Sequence, residues 1–201
     1  MEEPSELKLI LASSSPRRQQ LLSEAGYTFT IEPANIDETV PVDILPSDVA
    51  LQLAKGKAAV IAERFPDAVV LGADTVVAFG DRVLGKPADA ADARNMLSLL
   101  AGTTHIVITG VCVIHLNAGF NKSRRMMSAV RMRTLTRTEI DRYVDSNQWR
   151  GKAGGYGIQD SDPFVTRLAG SHTNIVGLPM VVVKEMLAEA GIHIRHRDDG
   201  H

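Results

Sequence analysis

The sequence has little of the material on which several protein classes depend. Its single cysteine, Cys112, excludes a disulfide framework within one chain, and its place in the apolar run 106–116 predicts a buried thiol rather than a nucleophile. Aromatic residues make up 4% of the chain, and 22 basic residues stand against 24 acidic ones. Because nucleic-acid binders use basic surfaces with aromatic residues that stack on bases, we expect no nucleic-acid partner.

Long hydrophobic runs are also missing. The apolar stretches, such as 68–73, are as long as a strand and fall well short of the roughly 20 residues needed to cross a bilayer. The N-terminus is acidic and lacks the basic and apolar regions of a signal peptide. We therefore expect no membrane partner and, by default, a cytoplasmic location.

What is present is a globular composition with alternating strand and helix patterns. The chain has 201 residues, of which 44% are hydrophobic and 23% charged, so it can bury a substantial core. The alternation predicts an α/β fold with a central mixed sheet and a cleft. We expect helices over 16–25, 48–64, 90–100, 137–147 and 178–190. Ser47 is the predicted N-cap of the second helix, and Thr136 and Glu139 form a predicted capping box at the start of the fourth. Residues 105–116 and 124–135 are predicted to form an antiparallel strand pair.

The first candidate site is the segment 13–18, Ser-Ser-Ser-Pro-Arg-Arg, between a short apolar strand and a helix. The proline suits the first turn of the helix and Ser15 suits its N-cap, so the hydroxyls of Ser13 and Ser15 and free backbone N–H groups meet the positive end of the helix dipole. Arg17 and Arg18 oppose that dipole unless an anion lies between them. The segment predicts a phosphate site, with a capped helix and solvated arginines as the alternative.

The second candidate is Asp74, a single carboxylate inside the apolar β run 72–77. Burying a lone carboxylate is costly unless a cation or a metal ion compensates its charge. Glu38 is a candidate for a second acidic ligand, because magnesium takes a few carboxylates together with phosphate oxygens and water. A carboxylate satisfied by backbone N–H groups or by a nearby lysine is the alternative interpretation of Asp74.

Lysines supply further candidate phosphate contacts. The run Gly-x-x-x-x-Gly-Lys at 80–86 is similar to a Walker A loop, but Pro87 replaces the hydroxyl residue that would bind magnesium, and the glycines fall on a hairpin. Lys86 stays a candidate because its neighbours stiffen the turn. Lys55 and Lys57 point about 200° apart on one predicted helix, so only one of them can face a ligand, and Lys55 is preferred.

Five short motifs also occur in order along the chain. They are Ser13-Ser14-Ser15-Pro16-Arg17-Arg18, Gly72-Ala73-Asp74-Thr75, Gly85-Lys86-Pro87, Tyr156-Gly157-Ile158-Gln159 and Gly177-Leu178-Pro179. Together they resemble the Maf family of nucleoside triphosphate pyrophosphatases. The resemblance implies a single domain over 7–190 with a polar tail over 191–201. It also implies a Maf/inosine-triphosphatase-like mixed sheet flanked by helices, in two lobes with a central cleft.

The resemblance further implies an activity and roles for residues. The activity is hydrolysis between the α and β phosphates of a nucleoside triphosphate, with a divalent metal ion, Mg²⁺ or Mn²⁺, in a homodimer. Asp74 matches the acid regarded as proton acceptor and, with Glu38, is a candidate metal ligand. Arg17, Thr75 and Gln159 match specificity positions, and the candidate phosphate contacts are Ser13, Ser15, Arg18, Lys55 and Lys86.

Substrate choice within the family depends on the base. The amide of Gln159 can donate to a carbonyl and accept from an N–H of uracil or thymine, whereas guanine favours a glutamate. Relatives that take N7-methylated guanine nucleotides carry Trp, Gln and Glu where this chain has Arg17, Thr75 and Gln159. We therefore expect a dTTP and UTP pyrophosphatase. The alternatives are a pyrophosphatase for N7-methyl-GTP and a nucleotide-sensing regulator of cell division without turnover. The segment 160–163, Asp-Ser-Asp-Pro, departs from relatives that are richer in glycine there, and this affects the expected shape of the base pocket.

Overall fold

The structure, a computed structural model, describes residues 7–38, 44–160 and 164–194. Within these residues seven strands form one mixed sheet flanked by helices, which confirms the predicted fold class. The elements in chain order are β1 (Leu9–Leu11), α1 (Pro16–Glu24), β2 (Thr30–Ile31), α2 (Pro46–Arg64), β3 (Val69–Phe79), β4 (Arg82–Leu84), α3 (Ala90–Leu100), β5 (Thr104–His115), β6 (Phe120–Met132), α4 (Arg137–Asp145), a 3₁₀ turn (Ala153–Gly155), β7 (Val165–Ala169), α5 (His172–Val176) and α6 (Met180–Glu189).

The strand order of the sheet is β2-β1-β3-β5-β6-β7, and β4 pairs with the end of β3. β1 runs parallel to both of its neighbours, whereas the pairs from β3 onwards are antiparallel. In the pairing of β3 with β5, Asp74 lies opposite Gly110 and Thr75 lies opposite Thr109. Because successive side chains of a strand point to opposite faces, Asp74 and Thr75 face opposite sides of the sheet.

The two faces of the sheet are covered by different helices. α2 packs on the face that carries Asp74. The opposite face carries two apolar clusters, one with α1 and α6 and the other with α3 and α4. On that face the hydroxyls of Thr75 and Thr109, 3.0 Å apart, interrupt the apolar surface. A polar strip therefore crosses the middle of the sheet on this side.

Two glycines allow α2 to lie directly on the sheet. A Cβ atom on Gly72 would collide with the carbonyl oxygen of Ala54, and a Cβ atom on Gly110 would collide with that of Ala50. Any larger residue at either position would push α2 away from the sheet. This close approach brings Lys57 of α2 next to Asp74 of β3.

Several predicted boundaries are corrected by the structure. β6 begins at Phe120 rather than at residue 124, because a tight turn at 117–119 lets β5 pair with the polar first residues of β6. α2 begins at Pro46, so Ser47 lies inside the helix and is not its N-cap. The short helix α5, capped by the Ser171 side chain, had no counterpart in the sequence prediction.

Other predictions are confirmed, including the capping box of α4 and the bounds of α3. Cys112 is buried, and burial raises the pKa of its thiol to about 11. In the predicted tail, Ile192 is buried against the cluster that includes α6, and residues 195–201 lie outside the described ranges, as do residues 161–163 of the glycine-poor segment. In the described ranges, no helix combines the length and apolar character that crossing a bilayer requires.

Candidate active site

A cleft of about 350 Å³ opens beyond the end of β1, and both Thr75 of the sheet and Lys57 of α2 line it. Its volume lies in the usual range for small-molecule sites. The predicted site residues that line it are Ser13, Ser15, Arg17, Arg18, Glu38, Thr75, Lys86 and Gln159. The basic residues that line it are Arg17, Arg18, Lys57, Lys86, Arg150 and Lys152. Such a wall attracts a polyanionic ligand.

Arg18 is a buried cation whose guanidinium is fixed by three hydrogen bonds. Its Nε donates to the carbonyl oxygen of Gly177 at 2.9 Å, one Nη donates to Ser13 Oγ at 3.0 Å, and the other donates to Thr75 Oγ1 at 3.2 Å. Burial lowers the pKa of Arg18 from its ordinary value of 12.5, and the charge of Asp74 opposes this shift. The predicted phosphate and specificity positions Arg18 and Thr75 are therefore bonded to one another.

Ser15 occupies the N-cap position of α1 as predicted, although its hydroxyl makes no capping bond. Its backbone N–H donates to Ser13 Oγ at 3.3 Å. The first turn of α1, all of which the structure describes, carries no acidic residue. Its N–H groups and the Ser15 hydroxyl therefore stay available to an anion in the cleft.

Arg17 and Gln159 share one end of the cleft. Arg17 Nη2 donates to the carbonyl oxygen of Gly151 at 2.8 Å, which ties α1 to the loop Gly151–Asp160. We call this segment the base loop. Gln159 is exposed on it, and its amide makes no hydrogen bond to any residue in the described ranges. The Gln159 amide is therefore available to a ligand.

The choice between the two lysines of α2 was wrong, because Lys57 and not Lys55 faces the cleft. Lys57 is 5% exposed, and its Nζ lies 2.6 Å from Asp74 Oδ1 and 2.6 Å from Glu38 Oε1. Lys55 is exposed on the outer side of α2. The predicted angle between the two side chains was correct, but the rotation of the helix about its axis depends on its contacts with the sheet.

Asp74 contacts Lys57 but does not itself line the cleft. It is 5% exposed on the α2 face of the sheet, and its Oδ1 accepts a hydrogen bond from Lys57, which does line the cleft. The nearby lysine that was the alternative explanation of this carboxylate is therefore present. Lys86 Nζ lies 3.8 Å from Glu38 Oε2. We call Glu38, Lys57, Asp74 and Lys86 the Lys57 cluster.

The charge of Glu38 is set by its neighbours in this cluster. Partial burial alone would raise its pKa. The hydrogen bond and charge of Lys57, followed by the charges of Lys86 and Arg18, outweigh that effect and lower the pKa below the ordinary 4.5. Glu38 is therefore ionised near neutral pH.

The carboxylates of this cluster bear on metal binding. Glu38 and Asp74 both reach the same cation, so their oxygens already converge. Across the described parts of the chain, no group of three or more His, Cys, Asp or Glu residues could hold a metal ion by itself. Two carboxylates fit magnesium, which keeps several waters and takes further ligands from substrate phosphates. Because Lys57 already contacts Oε1 of Glu38 and Oδ1 of Asp74, a metal ion would use the other oxygens of these carboxylates together with substrate phosphates.

Sequence reasoning missed three charged residues of the site, Arg150, Lys152 and Asp160. Arg150 and Lys152 line the cleft on either side of Gly151, and Lys152 forms an ion pair with Asp160. The available signal was the run Arg-Gly-Lys directly before the glycine-rich stretch. This run belongs to no recognised motif, so Arg150 and Lys152 would be interpreted as two ordinary surface cations.

Comparison with known proteins bears on this cleft. The chain matches the Maf-like protein family over residues 8–190. The chain belongs to the Maf family. This Maf-family chain is 44% identical over 185 residues to the dTTP/UTP pyrophosphatase of Syntrophus aciditrophicus (strain SB). The alignment covers 92% of this chain and 90% of that protein. It is 46% identical over 186 residues to the dTTP/UTP pyrophosphatase of Sphingopyxis alaskensis, with 92% and 97% covered.

Among solved structures, a nucleoside-triphosphatase / dITP/XTP pyrophosphatase of Mycobacterium abscessus aligns with a TM-score of 0.43 and 15% identity, covering 92% of this chain and 98% of that one. Membership of the Maf family confirms the resemblance that the five motifs indicated.

Proposed function

We propose that this Maf-family chain is a nucleoside triphosphate pyrophosphatase that hydrolyses dTTP and UTP to the monophosphate and pyrophosphate. The observation that carries the proposal is that one cleft combines an anion-binding helix start, a wall of basic side chains and the available Gln159 amide. Relatives that share 42–46% identity over more than nine-tenths of the chain are named dTTP/UTP pyrophosphatases.

The triphosphate, with about four negative charges, is proposed to lie between the start of α1 and Lys86. Ser13 Oγ already accepts hydrogen bonds from Arg18 and from the Ser15 N–H, so its own hydroxyl proton is free to donate to a phosphate oxygen. Arg18 presents a fixed guanidinium edge to the same space. These groups bind the phosphates without rearrangement of the loop.

The base is proposed to lie against the base loop. The carbonyl and adjacent N–H of uracil or thymine match the donor and acceptor of the Gln159 amide. Arg17, held at Gly151, closes this end of the cleft. Because the amide has no other partner among the described residues, base binding has no internal hydrogen bond to break.

Hydrolysis requires a group that takes the proton of the attacking water, since water is a poor nucleophile near neutral pH. Asp74 is the proposed acceptor, and Lys57 holds its carboxylate in one orientation. A magnesium or manganese ion bound by Glu38, Asp74 and phosphate oxygens would supply neutralisation of the phosphate charge and a lowered pKa of bound water. Glu38, at the cleft surface and ionised, completes the acidic side of the site.

A nucleotide panel tests the proposal. Purified protein with magnesium is assayed on dTTP, UTP, dCTP, dGTP and N7-methyl-GTP, with separate detection of monophosphate, pyrophosphate and inorganic phosphate. We expect dTTP and UTP to react fastest with release of pyrophosphate, and Asp74→Asn to lose at least roughly 100-fold in rate. Faster reaction of N7-methyl-GTP would overturn the pyrimidine preference. Tight binding without turnover would favour the nucleotide-sensing regulator, and an unchanged rate in Asp74→Asn would refute the role of that carboxylate.

The proposal also includes a homodimer in the cytoplasm, built from one domain over 7–190, with no nucleic-acid or membrane partner. Light scattering of the purified protein measures the mass of the assembly. A particle at the chain mass of 21.7 kDa would contradict the dimer.

A further inference from the structure

The last residue of the base loop carries a buried carboxylate. The side chain of Asp160 is 9% exposed and accepts three hydrogen bonds. Its Oδ2 accepts from the Tyr143 hydroxyl at 2.8 Å and from the backbone N–H of Gly157 at 3.0 Å, while Oδ1 accepts from Lys152 Nζ. We call Tyr143, Lys152, Gly157 and Asp160 the Asp160 clamp.

The partners of this carboxylate lie on two different parts of the fold. Lys152 and Gly157 are at the start and in the middle of the base loop, so their bonds to Asp160 close the loop on itself. Tyr143 belongs to α4, where it is buried and packs edge-to-face on Phe164 with ring centroids 4.8 Å apart. The carboxylate therefore ties the loop to a rigid helix.

The turn inside the clamp is tight at the position of Gly157. A Cβ atom there would lie 2.7 Å from Asp160 Oδ1 and 2.9 Å from Gln159 Nε2. The amide of Gln159 thus lies beside the clamp, and no hydrogen bond to a described residue holds the amide itself. Its position is consequently set by the backbone on either side, between Gly157 and Asp160.

Three donors converge on Asp160, and an ionised carboxylate is the side chain that accepts from all of them. An asparagine at this position would accept from Tyr143 and Gly157 through its oxygen but would turn its NH₂ group towards Lys152 Nζ, donor against donor. A buried carboxylate is in turn stable only while its partners stay in place. The clamp is therefore a unit whose members depend on one another.

We propose that Asp160 is a positioning residue for base selection, which acts by holding the base loop so that the Gln159 amide faces the base. This inference rests on the proposed function, since it takes a pyrimidine nucleotide as the ligand of the cleft. Asp160 touches no part of the substrate in this proposal. Its effect on selectivity passes through Gly157 and Gln159.

The experiment combines hydrogen–deuterium exchange of the base loop with steady-state kinetics. The variants are Asp160→Asn and the milder Tyr143→Phe, which removes one of the three bonds. Asp145→Asn, at an exposed carboxylate of the same helix α4, is the matched control. We expect Asp160→Asn to speed amide exchange over residues 151–160 and to reduce the ratio of kcat/KM for dTTP over dGTP by roughly tenfold, mainly through KM for dTTP. Tyr143→Phe should change both quantities in the same direction and less, and Asp145→Asn should change neither.

A second variant separates positioning from a general loss of folding. In the Asp160→Asn background, Lys152→Met removes the donor that opposes the asparagine NH₂ group, so we expect slow exchange of the Gly157 amide to return. Unchanged exchange in Asp160→Asn would overturn the clamp. Faster exchange with an unchanged dTTP-to-dGTP ratio would overturn its role in selection. Failure of the wild type to hydrolyse dTTP or UTP would overturn the proposed function instead, and exchange would still report on the clamp.

Discussion

Replacement of Lys57 by methionine tests the arrangement of the Lys57 cluster most directly. Methionine keeps most of the length and packing of the lysine stem but removes the ammonium that lies 2.6 Å from both Asp74 and Glu38. The side chains of Lys57 and Asp74 are 6% and 7% exposed, whereas that of Glu38 is 47% exposed. In the variant Glu38 can turn to water, but Asp74 is left as a buried charge without its cation.

The expected cost follows from that burial. Removing one partner of a buried ion pair destabilises a protein by about 3–5 kcal/mol, because the remaining charge is uncompensated. In a chain of this size each kcal/mol lowers Tm by about 2–4 °C, so the melting temperature should fall by about 6–20 °C. Lys55→Met, two residues away on the exposed side of the same helix, should change stability by no more than about 0.5 kcal/mol.

Urea denaturation and thermal melts of both variants measure these differences. The double variant Lys57→Met/Asp74→Leu should recover most of the lost stability, because replacing both members of a buried pair leaves no unpaired charge. The reasoning is refuted if Lys57→Met and Lys55→Met unfold at the same urea concentration. It also fails if the double variant is no more stable than Lys57→Met alone.

Three further predictions concern pH, packing and binding. Desolvation lowers the pKa of buried His105 from 6.5 to about 4, so between those pH values the unfolded chain binds a proton that the folded chain does not. The free energy of unfolding should therefore fall by about 3 kcal/mol as pH drops through this window. In urea titrations against pH, His105→Asn should flatten the curve, and a curve as steep as that of the wild type would refute the role of His105. Gly72→Ala should destabilise the protein by about 1–3 kcal/mol, because the added methyl group forces α2 away from the sheet. Gly85→Ala, which has open space around it, should leave stability unchanged. Melting temperatures of the two variants measure the difference. Lys86→Met should raise KM for dTTP roughly tenfold with an unchanged Tm, because its side chain is 51% exposed; an unchanged KM would remove it from the phosphate site.

The predicted residues that the structure places around the cleft are mostly those with a local signal. The loop before α1 combines an N-cap position, a proline in the first turn and two arginines, and these features act within a few residues of one another. The hairpin that follows β3 excluded a Walker A loop in the same way. For such segments the neighbouring residues determine both the conformation and the chemistry, so no knowledge of the rest of the fold is required.

Lys57 was rejected in favour of Lys55, and Asp160 was missed, because their roles depend on contacts that other elements of the fold make. Periodicity gives the angle between Lys55 and Lys57 but not the rotation of α2 about its axis, which depends on Gly72 and Gly110 in two different strands. In the sequence, Asp160 only belongs to a segment that departs from a glycine-rich pattern, whereas in the fold α4 brings a tyrosine hydroxyl to its carboxylate. In both cases a buried charge is satisfied by tertiary contacts that no spacing in the sequence reveals.

The pairing of charges within the cleft also distinguishes the basic residues that are available to bind a ligand from those already paired with carboxylates. Of the basic residues that line it, Lys57 is bonded to Asp74 and Glu38, and Lys152 is bonded to Asp160, so both are already neutralised by carboxylates. The remaining basic residues of the cleft wall are Arg17, Arg18, Lys86 and Arg150. Together these four side chains offset the roughly four negative charges of a triphosphate, so neither Lys57 nor Lys152 is needed to balance the ligand. Asp74→Asn should therefore slow turnover at least roughly 100-fold while nucleotide affinity measured without metal is kept, because the carboxylate contributes to the reaction and not to the cationic wall.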